Sequence, residues 1–353
     1  MRRMASKRYF HRVHEETPTR FWINNPTLEQ ARSAIDAGAV GCTTNPSYVS
    51  KLFGSPDDFK AVTRAIDMFV PYEKNDSIVA AKVQAHMVGR LSDEFMPLYR
   101  SSEGTKGFVT IQGDPFTETV ARKIIDEGID NRKIGDNVII KIPVTEPGIE
   151  AIEFFVDRNI PTMATEVMGL PQAISICEAY KAASAKSGNK PVFYVTHITG
   201  ILDDFFKNQI KEKGLAISAE AVKYAGLSVA KKEYALLKER KYPGVLLGGG
   251  ARKLEDFTEL VGGDLAVTIN WTGTAETLIE QDKPVVPRIG AEPDAALVAE
   301  LKAKLPGFNA AYEIDGMKPS EYYDYGAVEL FRNSFMKGWK ELVTLVAERR
   351  SAI

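Results

Sequence analysis

From residue 20 onward the chain alternates short β-branched apolar runs with longer stretches whose apolar residues recur three and four apart, and few architectures accommodate that rhythm. The short runs are RFWIN (20–24), VGCTT (40–44), GFVTI (107–111), NVIIKI (137–142), PTMAT (161–165), PVFYVT (191–196), GVLLG (244–248) and LAVTI (265–269). Between them, Val222, Gly226, Val229, Ala230, Tyr234 and Leu237 form one helical stripe, and Val79, Val83, Met87 and Leu91 another. Each stripe is suited to packing on a sheet. Eight strands joined by crossover helices either close as a barrel or lie open as a doubly wound sheet. The open sheet usually carries a glycine-rich dinucleotide turn after its first strand. Here that turn is Asn24-Asn25-Pro26-Thr27, and no GxGxxG occurs in the chain. The pattern therefore predicts an α/β fold, a single parallel eight-stranded β/α (TIM) barrel over 20–281.

The rest of the chain is read around that barrel. Residues 1–19 are expected to form an arm or helix. The stretch 51–105 must be mostly helical, with breaks at Pro71 and Pro97. Past Trp271 the strand pattern stops, PVVPRI makes a linker, and amphipathic helices are expected near 295–305 and 322–349. They form an extension over 282–353, packed outside the barrel or across one end.

A net charge of −2 leaves no broad footprint for nucleic acid or an anionic membrane. Cys42 and Cys177, the only cysteines, exclude a disulfide framework and a cysteine-rich zinc site. His11, His14 and His86 have no second ligand at a metal-like spacing, so no metal is expected. No apolar run reaches the roughly 18 to 20 residues of a spanning helix. The opening residues lack the core of a secretion signal. These features predict a cytoplasmic protein acting on a small molecule, with a homo-oligomer left open.

Within NVIIKIP, alternation places Val138, Ile140 and Ile142 on one face and Ile139, Lys141 and Pro143 on the other. The first face meets the helices, so Lys141 points into the barrel. Burial there favours the neutral amine, a nucleophile for carbonyls. A lysine paired with a buried carboxylate, or snorkelling at the mouth, is the alternative on these residues alone.

TTNPS (43–47), IKIP (140–143), Thr165 after the next strand and GGGAR (248–252) together resemble the transaldolase family over roughly residues 20–280. The resemblance implies a class I aldolase-type barrel that needs no cofactor and moves a dihydroxyacetone unit from a ketose or its phosphate to an aldehyde. Lys141 matches the imine-forming lysine, Thr44 and Asn45 the substrate contacts of strand two, and Thr165 the threonine that helps hold a water. Thr196 falls where the family has a substrate-contacting serine, and Arg252 matches a phosphate-binding arginine. The chemistry of the segment agrees with the last match. A guanidinium binds phosphate through two bonds, and the glycines through Gly250 leave backbone N–H groups open to an anion. A tight turn with no ligand is the other reading of these glycines.

Four positions depart from the family. Its strand-one aspartate is Asn24 and its strand-three glutamate is Gln112, as in the fructose 6-phosphate aldolase-like branch. That branch's compensating tyrosine is Ile198, and a second phosphate arginine is Ile201. Amides cannot exchange protons near neutral pH. Other acid/base candidates by position are Asp114, Glu166, His197 and Tyr194, with Glu166 expected to alternate away from Thr165. Two further outcomes stay open: a lyase that releases dihydroxyacetone, and a silent barrel that only binds a sugar phosphate.

Overall fold

The computed structural model describes residues 8–352. Its strands are β1 (Arg20–Asn24), β2 (Gly41–Thr43), β3 (Phe108–Gln112), β4 (Val138–Pro143), β5 (Thr162–Val167), β6 (Phe193–Ile198), β7 (Val245–Gly249) and β8 (Ala266–Ile269). They pair in sequence order, all parallel, and β8 returns to β1 to close the barrel. The expected strands are all present, displaced by a residue or two at their ends. In β4, Val138, Ile140 and Ile142 join the large core shared with the helices, while Ile139 belongs to a small separate core.

That small core contains Trp22, Val40, Phe108, Ile139, Met163, Leu247 and Ala266. These residues fill the lower barrel. Two residues further along six of the eight strands the inward positions turn polar: Asn24, Thr110, Lys141, Thr165, Thr196 and Thr268. The interior is thus an apolar plug beneath a polar floor, and barrel sites form at this end of the strands.

Residues 51–105 are helical as expected, chiefly in Pro56–Phe69 and Asp76–Ser101. Pro71 sits in the short 3-10 turn between them. Pro97 does not break the chain as the sequence predicts; it lies inside the helix Asp76–Ser101. It forfeits the bond to the Asp93 carbonyl, but both residues are exposed, so water satisfies the freed group and the helix runs one more turn. The helix Tyr9–Glu16 realises part of the expected arm, with Phe10 stacked on Phe21 at 4.0 Å. Residues 1–7 of that arm lie outside the described residues.

PVVPRI is an irregular linker. Helices Ala295–Lys304 and Gly326–Ala352 follow, with an unforeseen helix, Pro306–Tyr312, between them. The long C-terminal helix packs on Tyr48–Lys51, Asp76–Ser101 and Thr199–Lys213, and touches β5. It therefore crosses the barrel mouth. Gly338 permits this, because a Cβ there would collide with Ser47. No helix among the described residues is long and apolar enough to cross a membrane.

Candidate active site

Under the C-terminal helix lies a cavity of about 360 Å³ whose walls include Asn24, Asn45, Lys141, Thr196, Gly250 and Arg252. Residues from Asn24 to Arg252, far apart in sequence, are thus gathered at one place. Lys141 is 6% exposed and its Nζ donates to the Thr44 carbonyl at 3.2 Å. Burial pulls its pKa down to about 8; the Glu166 carboxylate opposes that shift and the Lys51 ammonium adds to it. Roughly a tenth of the amine is therefore neutral at pH 7, far more than for an ordinary lysine.

Asn24 bridges two neighbours, its Nδ2 donating to Asn270 Oδ1 at 2.9 Å and its Oδ1 accepting from Thr43 Oγ1 at 3.0 Å. Asn45 Oδ1 accepts from the Ser47 amide and hydroxyl, which fixes the ring of polar groups around the cavity. Thr44 does not line the cavity. Its hydroxyl donates to the Thr110 carbonyl at 2.6 Å and its amide to Thr110 Oγ1 at 3.1 Å, so the side chain extends the pairing of β2 with β3. Its contact with the site is the carbonyl that orients Lys141. The hydroxyls of Thr165 and Thr196 are buried with no protein partner among the described residues.

Glu166 departs from its expected alternation. The step from Ala164 to Val167 on β5 spans only Val195 to His197 on β6, so β5 carries an extra residue. Glu166 occupies the bulge with a φ of 58°. An extra residue shifts the period of two, so Thr165 and Glu166 both leave the outer face. Glu166 is fully buried, and Gln112 Nε2 donates to its Oε1 at 3.0 Å. Burial raises its pKa, against the pull of Gln112, Lys141 and Arg332.

The other three acid/base candidates are placed differently. Asp114 lines a small second cavity with Gln112, Glu118, Glu127 and Lys141, and burial raises its pKa. His197 faces outward, where its Nδ1 meets Glu233 Oε2 at 2.9 Å, both residues fully buried. Tyr194 packs edge-on against Trp22 and lines a groove at the opposite end of the strands.

Arg252 reaches the cavity from the turn after β7. Its Nε is 3.2 Å from Asp204, and its side chain is 46% exposed. Gly200 lets this turn approach, since a Cβ there would strike the Gly250 carbonyl. Ile198 lines the wall and Ile201 is buried behind it. Sequence reasoning missed Lys51, one turn beyond TTNPS, whose pKa is lowered by enclosure and by Arg252. It also missed Asn270 and the wall that the C-terminal helix supplies through Ser334, Phe335 and Lys337. The amphipathic pattern announced that helix, but not which of its residues would face the mouth.

A family model described as Transaldolase/Fructose-6-phosphate aldolase matches residues 21–334. A protein named "Transaldolase" from Mycobacterium ulcerans is 26% identical over 238 residues, which cover 62% of this chain and 61% of that relative. "Probable transaldolase" from Prosthecochloris aestuarii is 28% identical over 204 residues, covering 58% and 70%. "Probable transaldolase" from Chlorobium limicola is 30% identical over 191 residues, covering 52% and 64%. The chain thus spans about six- to seven-tenths of the length of these relatives. With the model matched across nearly the whole barrel and into the C-terminal helix, the chain belongs to the transaldolase/fructose-6-phosphate aldolase family.

Proposed function

We propose that this protein is a Schiff-base transaldolase that moves a dihydroxyacetone unit from a ketose phosphate to an aldehyde. The observation that carries this reading is Lys141, a buried amine of lowered pKa on the wall of a cavity that Asn24, Asn45, Thr196 and Arg252 also line. Its nitrogen attacks the C2 carbonyl and water leaves. The C3–C4 bond then breaks, with its electron pair drawn into the iminium. The resulting enamine adds to a second aldehyde, and hydrolysis returns the lysine. Because the iminium is itself the electron sink, the cycle calls for no cofactor. Arg252 and Lys51 hold the phosphate end, and Asn24, Asn45 and Thr196 hold the hydroxyls. The buried thiols of Cys42 and Cys177 suit a reducing compartment such as the cytoplasm.

Borohydride reduction in the presence of fructose 6-phosphate should fix a dihydroxyacetone adduct on Lys141, and Lys141→Met should abolish it. An adduct mapped to another lysine sinks the mechanism. A second reading, release of free dihydroxyacetone, draws on the amide at Gln112. It is favoured if donor cleavage proceeds at full rate without an acceptor aldehyde.

A further inference from the structure

A Schiff-base cycle must give a proton to a departing hydroxyl and take one from the C4 hydroxyl, yet most polar groups on the floor around Lys141 are amides and alcohols. Asn24, Thr43, Gln112, Thr165 and Thr196 orient hydrogen bonds but exchange no protons near neutral pH. A carboxylate reaches that floor from β5. Glu166 gets there by the added residue of the bulge and a left-handed backbone. Side chains other than glycine, asparagine and aspartate seldom adopt that conformation, and it concentrates at functional sites. Gln112 holds one carboxylate oxygen, while Oε2 is buried with no protein partner among the described residues.

We propose that Glu166 is the acid/base group of this barrel, exchanging protons with the Lys141 adduct through the water that imine formation releases. The inference rests on the Schiff-base reading above. Glu166, as the acid, protonates the C2 hydroxyl of the carbinolamine, which leaves as water with its C–O electron pair while the nitrogen lone pair forms the iminium. The carboxylate then takes the C4-hydroxyl proton through that water. The C3–C4 pair becomes the C2–C3 double bond of the enamine, the iminium electrons return to nitrogen, and the aldehyde departs. When the enamine adds to the second aldehyde, Glu166 protonates the new alkoxide.

The surroundings suit a group that holds a proton at rest. Lys141 faces Glu166 from β4, Gln112 from β3, Glu118 from the segment after β3 and Arg332 from the C-terminal helix, with Asp114 beyond Glu118. Glu118 is itself buried, 3.9 Å from Arg332, and its pKa is raised by burial and by Glu166. Two neighbouring buried carboxyls that share the Arg332 guanidinium and the Lys141 amine do not both ionise readily, so the pair keeps a proton to give.

The test uses the full chain with fructose 6-phosphate as donor and glyceraldehyde as acceptor, alongside borohydride trapping of dihydroxyacetone. Glu166→Gln should still be trapped on Lys141 at long times, while kcat falls ~100- to 10,000-fold and KM changes little. The kcat/KM profile of the parent should be a bell, because Glu166 must be protonated and Lys141 neutral; in the variant only the rise remains. Moving the carboxylate to β3 in the double variant Gln112→Glu/Glu166→Gln should recover at least part of the lost rate. If Glu166→Gln folds poorly, Glu166→Asn, an amide that accepts the left-handed backbone, should show the same loss and the same profile. Parent-like kcat and a retained bell in either variant overturn the proposal. So does a lowered rate with an unchanged bell and no recovery in the double variant, which marks a structural role. A parent chain that forms no adduct on Lys141 instead overturns the Schiff-base reading, and this inference with it.

Discussion

Arg252 shows how a residue can be placed for one task while tethered by another. Its guanidinium leans on Asp204 and on the carbonyls of Gly250 and Ala251, so a phosphate bound there, as proposed above, would compete with contacts already made. Its partial exposure admits water and salt, which puts its contribution at the low end for charge pairs, about 1 to 2 kcal/mol. Arg252→Ala should therefore raise KM for fructose 6-phosphate roughly tenfold and leave the trapping of uncharged dihydroxyacetone almost unchanged. Equal losses with both probes assign Arg252 to holding the turn after β7. Residues such as Lys141 were legible because strict alternation fixes which side of a strand they occupy. Glu166 was not, since an added residue in β5 shifts that alternation and nothing in PTMATEV marks a bulge. Thr44, expected to contact substrate, instead turns its hydroxyl to the Thr110 carbonyl, a contact that depends on where β3 falls beside β2.

At the scale of elements, the eight strands could be read because each is a short β-branched run between helical stripes. Their ends could not be fixed, because Thr44 bonds by its side chain just where β2 stops pairing by its backbone. The C-terminal helix was legible by its amphipathic period, yet its seat across the mouth depends on contacts with helices far away in sequence. One of them is the close approach of Gly338 to Ser47. Gly338→Leu should lift this helix from the segment that carries Ser47, Ser50 and Lys51. The expected loss is about 1 to 3 kcal/mol of stability, together with weaker donor binding, read by urea denaturation and by KM. A variant of unchanged KM and stability shows that the helix seats by other contacts and that Gly338 is incidental.

For the molecule as a whole, the barrel interior joins an apolar plug to a polar floor, and the cost of that floor falls on global stability. Lys141 is the clearest case. Folded, its amine titrates near 8, against an ordinary value of 10.5, because burial disfavours the ammonium. A depressed lysine pKa means that the unfolded chain holds the proton more tightly. The folded state therefore carries its full penalty below pH 8, roughly 3 kcal/mol by linkage, and is relieved as pH rises toward 10.5. Methionine is flexible and apolar and occupies similar space without the charge. Lys141→Met should accordingly melt at a higher temperature than the parent at pH 7. The difference between the two should shrink steadily between pH 8 and 10.5, because the parent alone loses its penalty there. Comparing the proteins at each pH cancels every other titrating group they share. A gap that stays constant across this range, or a variant that melts lower at pH 7, means that Lys141 is held as a paired cation. The neutral amine on which the nucleophilic role depends is then not present at rest.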